Sequence, residues 1–246
     1  MTSDRFDDRR VLVTGGGSGI GRSTAALFAD RGARVAIVDS RTDGAGVPDA
    51  VSVSGDVRDE ASVRSAVAAA REALGGAIEV LVNAAGIYRV TSAVELTSGE
   101  WDDVFDTNLR GTFLVSQAFM ADASGGSVRA IVNVASTAAF VGDADEPAAH
   151  YNASKAGVVA LTKQLAIEWA ARGVRVNAVA PGVIDTPMLR MMEDPARGNI
   201  YLETRVPLGR LGDAEEVAEV IAFLASDRAA YVTGATVPVD GGVMAL

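Results

Sequence analysis

The sequence predicts an α/β fold with one doubly wound domain, in which helices cover both faces of a seven-stranded parallel sheet. Three observations support this prediction. Short runs rich in valine and isoleucine alternate with longer alanine-rich segments of helical period. The short runs are continuously apolar, which is typical of strands buried on both faces. No linker or repeat interrupts the 246 residues, so we expect a single domain over residues 1–246.

The same patterns give the order of the elements. The connection at residues 40–50 contains Gly44, Gly46 and Pro48, so a loop rather than a crossover helix is predicted there. Helices are predicted at Arg22–Arg31, Ala61–Leu74, Trp101–Met120, Tyr151–Arg172 and Ala214–Ser226. Strands are predicted at Val11–Val13, Val35–Val38, Val51–Val53, Val80–Val82, Ala130–Val134, Arg175–Val179 and Thr236–Val239.

The composition argues against several classes of function. A net charge of −10 and a pI of about 4.6 disfavour a nucleic-acid partner, because phosphate backbones are bound by basic surfaces. The chain has no cysteine and His150 is its single histidine, so no metal site or Ser-His-Asp triad is expected. No apolar run is as long as a membrane span, and the charged start is unlike a secretory signal. We therefore expect no membrane partner and a cytoplasmic location.

A glycine-rich segment, Thr14–Gly21, joins the first predicted strand to the first predicted helix. This is the context that a dinucleotide-binding turn requires. Glycines allow positive φ angles, a close approach of the backbone to a pyrophosphate, and tight packing of helix on strand. The segment therefore predicts a Rossmann-type dinucleotide site, although a glycine-rich loop alone is a weak signal.

Asp39, at the end of the second predicted strand, indicates which dinucleotide binds. An acidic side chain at this position accepts hydrogen bonds from a ribose diol and repels a 2′-phosphate. The sequence therefore favours NAD, with NADP less favoured. Arg41 leaves the second option open, because its guanidinium can compensate the charge of a phosphate.

Tyr151 and Lys155 are four residues apart in a predicted helix, so they share one helix face. A fixed cation favours the phenolate and lowers the pKa of a neighbouring tyrosine. The pair can therefore act as a proton-transfer group. Taken alone, such a pair is more commonly an ordinary helix surface, and the motifs around it decide between the two interpretations.

Ordered motifs from Val11 to Gly242 give the chain its resemblance to the short-chain dehydrogenases/reductases, of the compact type with about 250 residues. The resemblance implies a single NAD(P)-binding Rossmann domain. The matching motifs are the turn with Gly15, Gly19 and Gly21, the segment Asn83–Gly86, Asn108, Ser136, the pair Tyr151 and Lys155, Pro181-Gly182 with Ile184 and Thr186, and the C-terminal segments Tyr231–Gly234 and Val239–Gly242.

The resemblance implies a role for each of four catalytic residues. Tyr151 would be the general acid/base, and Ser136 would hydrogen-bond the same substrate oxygen. Lys155 would bind the nicotinamide ribose and lower the pKa of the tyrosine. Asn108 would hold a water that links Lys155 to solvent. The implied cofactor-binding residues are Gly15, Ser18, Gly19, Ile20, Gly21, Asp39, Asp56, Val57, Asn83, Ala84, Gly86, Tyr151, Lys155, Pro181, Gly182, Ile184 and Thr186.

Two segments lie near the expected substrate position. One is longer than is usual in the family, and the other lies where the family has a substrate lid. The interval from Ser136 to Tyr151 is 15 positions, longer than usual, and the added length falls in Gly142–Pro147. Its acidic residues form either a solvated loop tip or the mouth of the pocket. A substrate lid is implied around residues 187–205. Its apolar residues either face the substrate or pack against helices, and these residues are Met188, Leu189, Met191 and Met192.

We therefore expect an NAD-dependent oxidoreductase that interconverts a secondary alcohol and a ketone by hydride transfer. Tyr88, Val141 and Tyr201 are candidate pocket residues and suggest a moderately apolar small molecule. The alternatives are an NADPH-dependent carbonyl or 3-oxoacyl reductase and a non-catalytic dinucleotide-binding sensor. The resemblance also implies a homotetramer with two interfaces. One would use the helices Trp101–Met120 and Tyr151–Arg172, and the other the helix Ala214–Ser226 and the last strand.

Overall fold

The fold is a seven-stranded parallel sheet between two layers of helices, in a computed structural model that describes residues 5–41, 46–121, 129–189 and 194–245. The strand order is β3-β2-β1-β4-β5-β6-β7, which confirms the predicted doubly wound sheet. The strands are β1 (Arg10–Thr14), β2 (Arg34–Asp39), β3 (Val51–Ser54), β4 (Val80–Asn83), β5 (Arg129–Val134), β6 (Val174–Pro181) and β7 (Thr236–Val239).

The helices divide between the two faces of this sheet. Helices α1 and α7 cover one face, whereas α2, α4 and α5 cover the other. The α-helices in the described part of the chain are α1 (Gly19–Asp30), α2 (Glu60–Leu74), α3 (Ser98–Phe105), α4 (Gly111–Ala121), α5 (Ala149–Trp169), α6 (Pro195–Arg205) and α7 (Ala214–Ala225).

Strand β1 shows why the apolar runs are continuous. Val11 and Val13 point to the face that carries α1 and α7, while Leu12 between them points to the opposite face. All three side chains are fully buried. Alternate residues of a strand point to opposite faces, so a strand covered on both sides must be apolar at every position.

The predicted helix Trp101–Met120 is interrupted in the structure. A π-helical turn at Asp106–Arg110 separates α3 from α4. A π turn adds a residue to the helical repeat and is common at functional sites. Sequence periodicity predicted one straight helix, because one extra residue within a turn leaves little trace in an apolar pattern.

Two further expectations concern loops and membranes. In the described part of residues 40–50, which omits 42–45, the chain forms turns and no helix, as predicted for this connection. Among the described residues, no helix has the length and apolar character needed to cross a bilayer.

Candidate active site

A cleft of about 670 Å³ opens at the carboxyl ends of the parallel strands. Ligands bind in such sheets where the strand order reverses, here between β1 and β4. The predicted site residues that line the cleft are Gly15, Ser18, Gly19, Ile20, Gly21, Asp39, Asp56, Val57, Ala84, Gly86, Ser136, Tyr151, Lys155, Pro181, Gly182, Ile184 and Thr186. Of the catalytic and cofactor-binding residues that the resemblance implies, Asn83 and Asn108 do not line it.

We call the part of the cleft formed by Gly15–Gly21 and Asp39 the glycine side. The backbone there is held close to its neighbours. Gly15 has φ +67°, and a Cβ at this position would lie 2.6 Å from the Cα of Ala85. A Cβ at Gly17 would lie 2.9 Å from a carboxylate oxygen of Asp39. No larger residue fits at Gly15 or Gly17 without moving the backbone or Asp39.

The start of α1 on the glycine side suits an anionic ligand. The N-cap Ser18 makes no side-chain cap, and no acidic residue lies in the first turn. The first amide groups of a helix have no partner within it, and the helix dipole favours negative charge at this end. The turn and the helix start therefore fit a dinucleotide pyrophosphate.

The Asp39 carboxylate is fixed at the end of β2 by two backbone amides. Oδ2 accepts from Gly17 N at 3.0 Å, and Oδ1 accepts from Arg41 N at 3.0 Å. Arg41 also lines the cleft. Asp39 thus presents an oriented negative charge beside the glycine-rich turn, as the ribose contact requires.

Asp56 lies in the cleft, but its carboxylate is engaged by Arg58. The guanidinium Nη2 of Arg58 is 2.8 Å from Asp56 Oδ2. These hydrogen bonds hold the pKa of Asp56 below its usual value. If Asp56 faces the adenine, it would do so as an ion pair with Arg58. Arg58 lines the cleft and was not predicted from the sequence. The spacing of two residues between opposite charges could have indicated it.

Tyr151, Ser136 and Lys155 meet in the cleft, as the sequence predicted. Ser136 lies two residues after the end of β5, and its hydroxyl is close enough to Tyr151 to act on the pKa of the phenol. Tyr151 and Lys155 lie on one face of α5, with Lys155 Nζ 5.7 Å from the tyrosine ring centroid. The ammonium donates a hydrogen bond to Val134 O at 2.8 Å, which anchors it to β5.

Burial dominates the electrostatics of this group. It raises the pKa of Tyr151, and the hydrogen bond from Ser136 acts in the opposite direction. Burial also lowers the pKa of Lys155 from 10.5 to about 8. The lowering of the Tyr151 pKa by Lys155 together with a positively charged nicotinamide concerns the cofactor-bound protein and stays a prediction.

Asn108 lies behind the cleft, within the π-helical turn. Its Oδ1 accepts from Ile87 N at 2.8 Å, and its Nδ2 donates to Ile87 O at 3.0 Å and to Ser154 Oγ at 3.1 Å. The carboxamide thus holds the segment after β4 against α5, the helix that carries Tyr151. Its role in holding a water stays a prediction.

Asn83 was predicted to contact the cofactor, and the structure places its side chain elsewhere. It is buried among neighbouring strands and helices, where Nδ2 donates to Asn133 Oδ1 at 2.9 Å and to Ser116 Oγ at 3.0 Å. Asn133 in turn donates to Thr162 Oγ1 at 2.9 Å. Asn83 therefore stabilises the floor beneath the site, because buried polar groups need partners.

The opposite part of the cleft, the tyrosine side, is formed by Tyr88, Val141, Glu146 and Tyr201. This confirms the three predicted pocket residues. Asp143 also lines the cleft, whereas Asp145 does not. Met188 and Leu189 line it as well, and Met191 and Met192 lie outside the described residues. Arg205, on α6, and Val243, after β7, complete this side and were missed because no local motif marks them.

His150 directly precedes Tyr151 but is part of the packed interior rather than of the cleft. It lies in the first turn of α5, is fully buried and does not line the cleft. Neither ring nitrogen has a hydrogen-bond partner within the described part of the chain. Burial lowers its pKa, so the imidazole is neutral at pH 7.

The family model described as enoyl-(acyl carrier protein) reductase matches residues 15–244. The D-threitol dehydrogenase of Mycolicibacterium smegmatis is 44% identical over 251 residues, which cover 97% of this chain and 94% of that protein. The 3-oxoacyl-[acyl-carrier-protein] reductase FabG of Escherichia coli is 39% identical over 244 residues, covering 97% of this chain and 98% of the relative.

A solved structure from Agrobacterium tumefaciens, a candidate 2-deoxy-D-gluconate 3-dehydrogenase with bound NADP, has a TM-score of 0.87 and 37% identity. The comparison covers 99% of both chains. The fold and the site together define a nucleotide-dependent oxidoreductase. The chain belongs to the short-chain dehydrogenase/reductase family, whose relatives here are dehydrogenases and reductases.

Proposed function

We propose that this protein is an NAD-dependent oxidoreductase that interconverts a secondary alcohol and a ketone. The observation that supports this chemistry is the convergence of Tyr151, Ser136 and Lys155 in one cleft with the glycine-rich turn. A nicotinamide cofactor, when bound, exchanges the hydride with the substrate carbon. The chain itself must therefore move a proton at the substrate oxygen.

Tyr151 is the residue that would exchange this proton. During alcohol oxidation its phenolate would accept the proton of the substrate hydroxyl, and during ketone reduction its phenol would donate it. Ser136 would hydrogen-bond the same oxygen and hold it against the phenol. Because burial raises the pKa of Tyr151, oxidation should need added positive charge close by, which Lys155 supplies in part.

The remaining cleft residues would orient the cofactor. The turn Gly15–Gly21 and the start of α1 would hold the pyrophosphate, and Asp39 the adenosine ribose. Lys155 would contact the nicotinamide ribose. Thr186 lies close to the start of α1, since a Cβ at Gly19 would be 3.3 Å from Thr186 Cβ, and Ile184 lines the same cleft. They would address the carboxamide.

The preference for NAD rests on Asp39. Both of its carboxylate oxygens accept hydrogen bonds from backbone amides, so the negative charge is held in place. A 2′-phosphate at this position would meet that charge at short range. The second candidate, an NADPH-dependent carbonyl or 3-oxoacyl reductase, is supported by the FabG relatives, by the NADP-bound relative, and by Arg41 in the cleft.

The test compares NAD with NADP in the oxidation of a panel of secondary alcohols. We expect wild type to favour NAD by at least about tenfold in kcat/KM, and Asp39→Ser to reduce this preference by about 10- to 100-fold, as loss of a charged hydrogen-bond acceptor predicts. Asp102→Ser is the matched control, because Asp102 is exposed and outside the cleft. A wild-type preference for NADP, unchanged by Asp39→Ser, would instead support the second candidate.

We also propose a homotetramer as the working assembly. Apolar side chains remain exposed on the helices expected at the interfaces, among them Phe113 on α4, Ile167 on α5 and Phe223 on α7. Ile167 is 76% exposed, so its burial in an interface would remove apolar surface from water. Light scattering of the wild type should give four times the chain mass of 25.3 kDa. The substitution Ile167→Glu should lower the measured mass. A monomeric wild type would contradict the proposal.

A further inference from the structure

On the tyrosine side of the cleft, the Glu146 carboxylate is bound to Tyr88, and Tyr88 packs against Tyr151. Tyr88 donates a hydrogen bond from its hydroxyl to Glu146 Oε2 at 2.7 Å. The ring of Tyr88 packs edge-on against the ring of Tyr151, with 4.8 Å between centroids and an interplanar angle of 75°. Glu146 is therefore held one aromatic ring away from the proposed acid/base.

Tyr88 and Glu146 can each still accept a hydrogen bond, so a ligand must supply the donor. The proton of Tyr88 is already engaged, so its oxygen can only accept a further hydrogen bond. Glu146 uses Oε2, while Oε1 has no partner among the described residues. Both side chains are partly buried and line the cleft. The pair thus suits a ligand that brings a hydroxyl group.

The charges around the pair favour a neutral ligand. Two carboxylates, Glu146 and Asp143, and two guanidinium groups, Arg89 and Arg205, line this part of the cleft. The formal charges of these four groups cancel, so the described residues give this part of the cleft little net attraction to an anion or a cation. Hydrogen-bond donation then becomes the property that distinguishes one substrate from another.

We infer that Tyr88 and Glu146 form a recognition site for a second hydroxyl group of the substrate, so that polyhydroxy alcohols are the preferred substrate class. This inference rests on the proposed function, because it concerns the same site. Gly142–Pro147, the segment that lengthens the interval between Ser136 and Tyr151, carries Glu146 into the cleft. The added length therefore acts in substrate selection rather than only as a loop tip.

The test uses four-carbon alcohols that differ in hydroxyl number: butan-2-ol, butane-2,3-diol and butane-1,2,3,4-tetrol. Each is oxidised with the preferred nicotinamide by wild type, Glu146→Gln and Tyr88→Phe. We expect wild type to favour the tetrol. Glu146→Gln should lose about 10- to 100-fold in kcat/KM on the tetrol, mainly through KM, because a hydrogen bond to a charged group is lost. Its kcat/KM on butan-2-ol should change little.

Asp145→Asn is the matched control, because Asp145 belongs to the same loop but does not line the cleft. It should leave the preference for the tetrol unchanged. Tyr88→Phe should reduce the preference by a smaller factor than Glu146→Gln, because the carboxylate remains but loses its anchor.

The possible failures are distinguishable. Equal losses on all three alcohols would mean that the pair only supports the loop, and a wild type without hydroxyl preference would contradict recognition; either result overturns the inference and leaves the proposed function standing. Absence of turnover on every alcohol and every ketone tested, with both nicotinamides, overturns the proposed function and the inference together.

Discussion

The glycine side of the cleft is built mainly from backbone, whereas the tyrosine side is built from side chains that arrive from separate segments. On the glycine side, Gly15 and Gly17 leave no room for a Cβ, and Asp39 is held by backbone amides. On the tyrosine side, Tyr88, Glu146 and Tyr201 come from three distant parts of the chain. A site built from backbone suits a ligand that stays the same, here the cofactor. A site built from side chains can change to suit different substrates.

The largest expected effect comes from Tyr151, which lies next to the tyrosine side. Tyr151→Phe should lower kcat by about 10³-fold with little change in cofactor affinity, because it removes the proton-transfer group and leaves the glycine side intact. Steady-state kinetics and a cofactor titration measure both quantities. Tyr231→Phe is the matched control, since Tyr231 is fully exposed and outside the cleft. Retained turnover in Tyr151→Phe would show that another group moves the proton.

A substitution on the glycine side should affect folding as well as binding. Gly15→Ala should lower the free energy of unfolding by about 2–4 kcal/mol and abolish tight cofactor binding, because alanine is disfavoured at φ +67° and its Cβ meets the Ala85 backbone. Urea unfolding and fluorescence titration with NADH test this. Gly99→Ala, on α3 with no atom within 4 Å of the added Cβ, should be neutral or stabilising by about 0.5–1 kcal/mol. If Gly15→Ala and Gly99→Ala have the same free energy of unfolding and the same affinity for NADH, the backbone at Gly15 is not constrained as described.

The smallest expected effect on stability concerns Lys155, which serves both sides. Its pKa is lowered by burial to about 8, from 10.5 in the unfolded chain. Between these pH values the unfolded chain retains a proton that the folded chain has released, so stability should rise with pH in this window, and below it the buried charge is a cost.

Lys155→Met removes this charge and should therefore abolish turnover without lowering stability at pH 7. We expect a gain of about 1–2 kcal/mol, after allowing for the lost hydrogen bond to Val134 O. The advantage over wild type should shrink as pH rises from 8 to 10. Urea unfolding of both proteins at pH 7 and pH 9.5 measures it. A variant that is much less stable at pH 7 would mean that Lys155 is a structural residue.

The sequence predicted most of the glycine side and the catalytic group because their signals are local. A glycine-rich turn between a strand and a helix, an acidic residue at the next strand end, and a Tyr–Lys pair at helical spacing are each visible within a few residues. Alternation of apolar runs with helical segments likewise predicted the parallel sheet, since strands buried on both faces must be apolar throughout.

Only the tertiary structure decided which side chains meet without a local signal. It directed Asn83 into a buried polar network, interrupted the helix around Asn108 with a π turn, and brought Glu146 to Tyr88 across 58 positions of the chain. It also buried the phenol of Tyr151, which raises the pKa of that group. These features depend on contacts between distant residues and on the removal of water, and neither is encoded in the spacing of neighbouring residues.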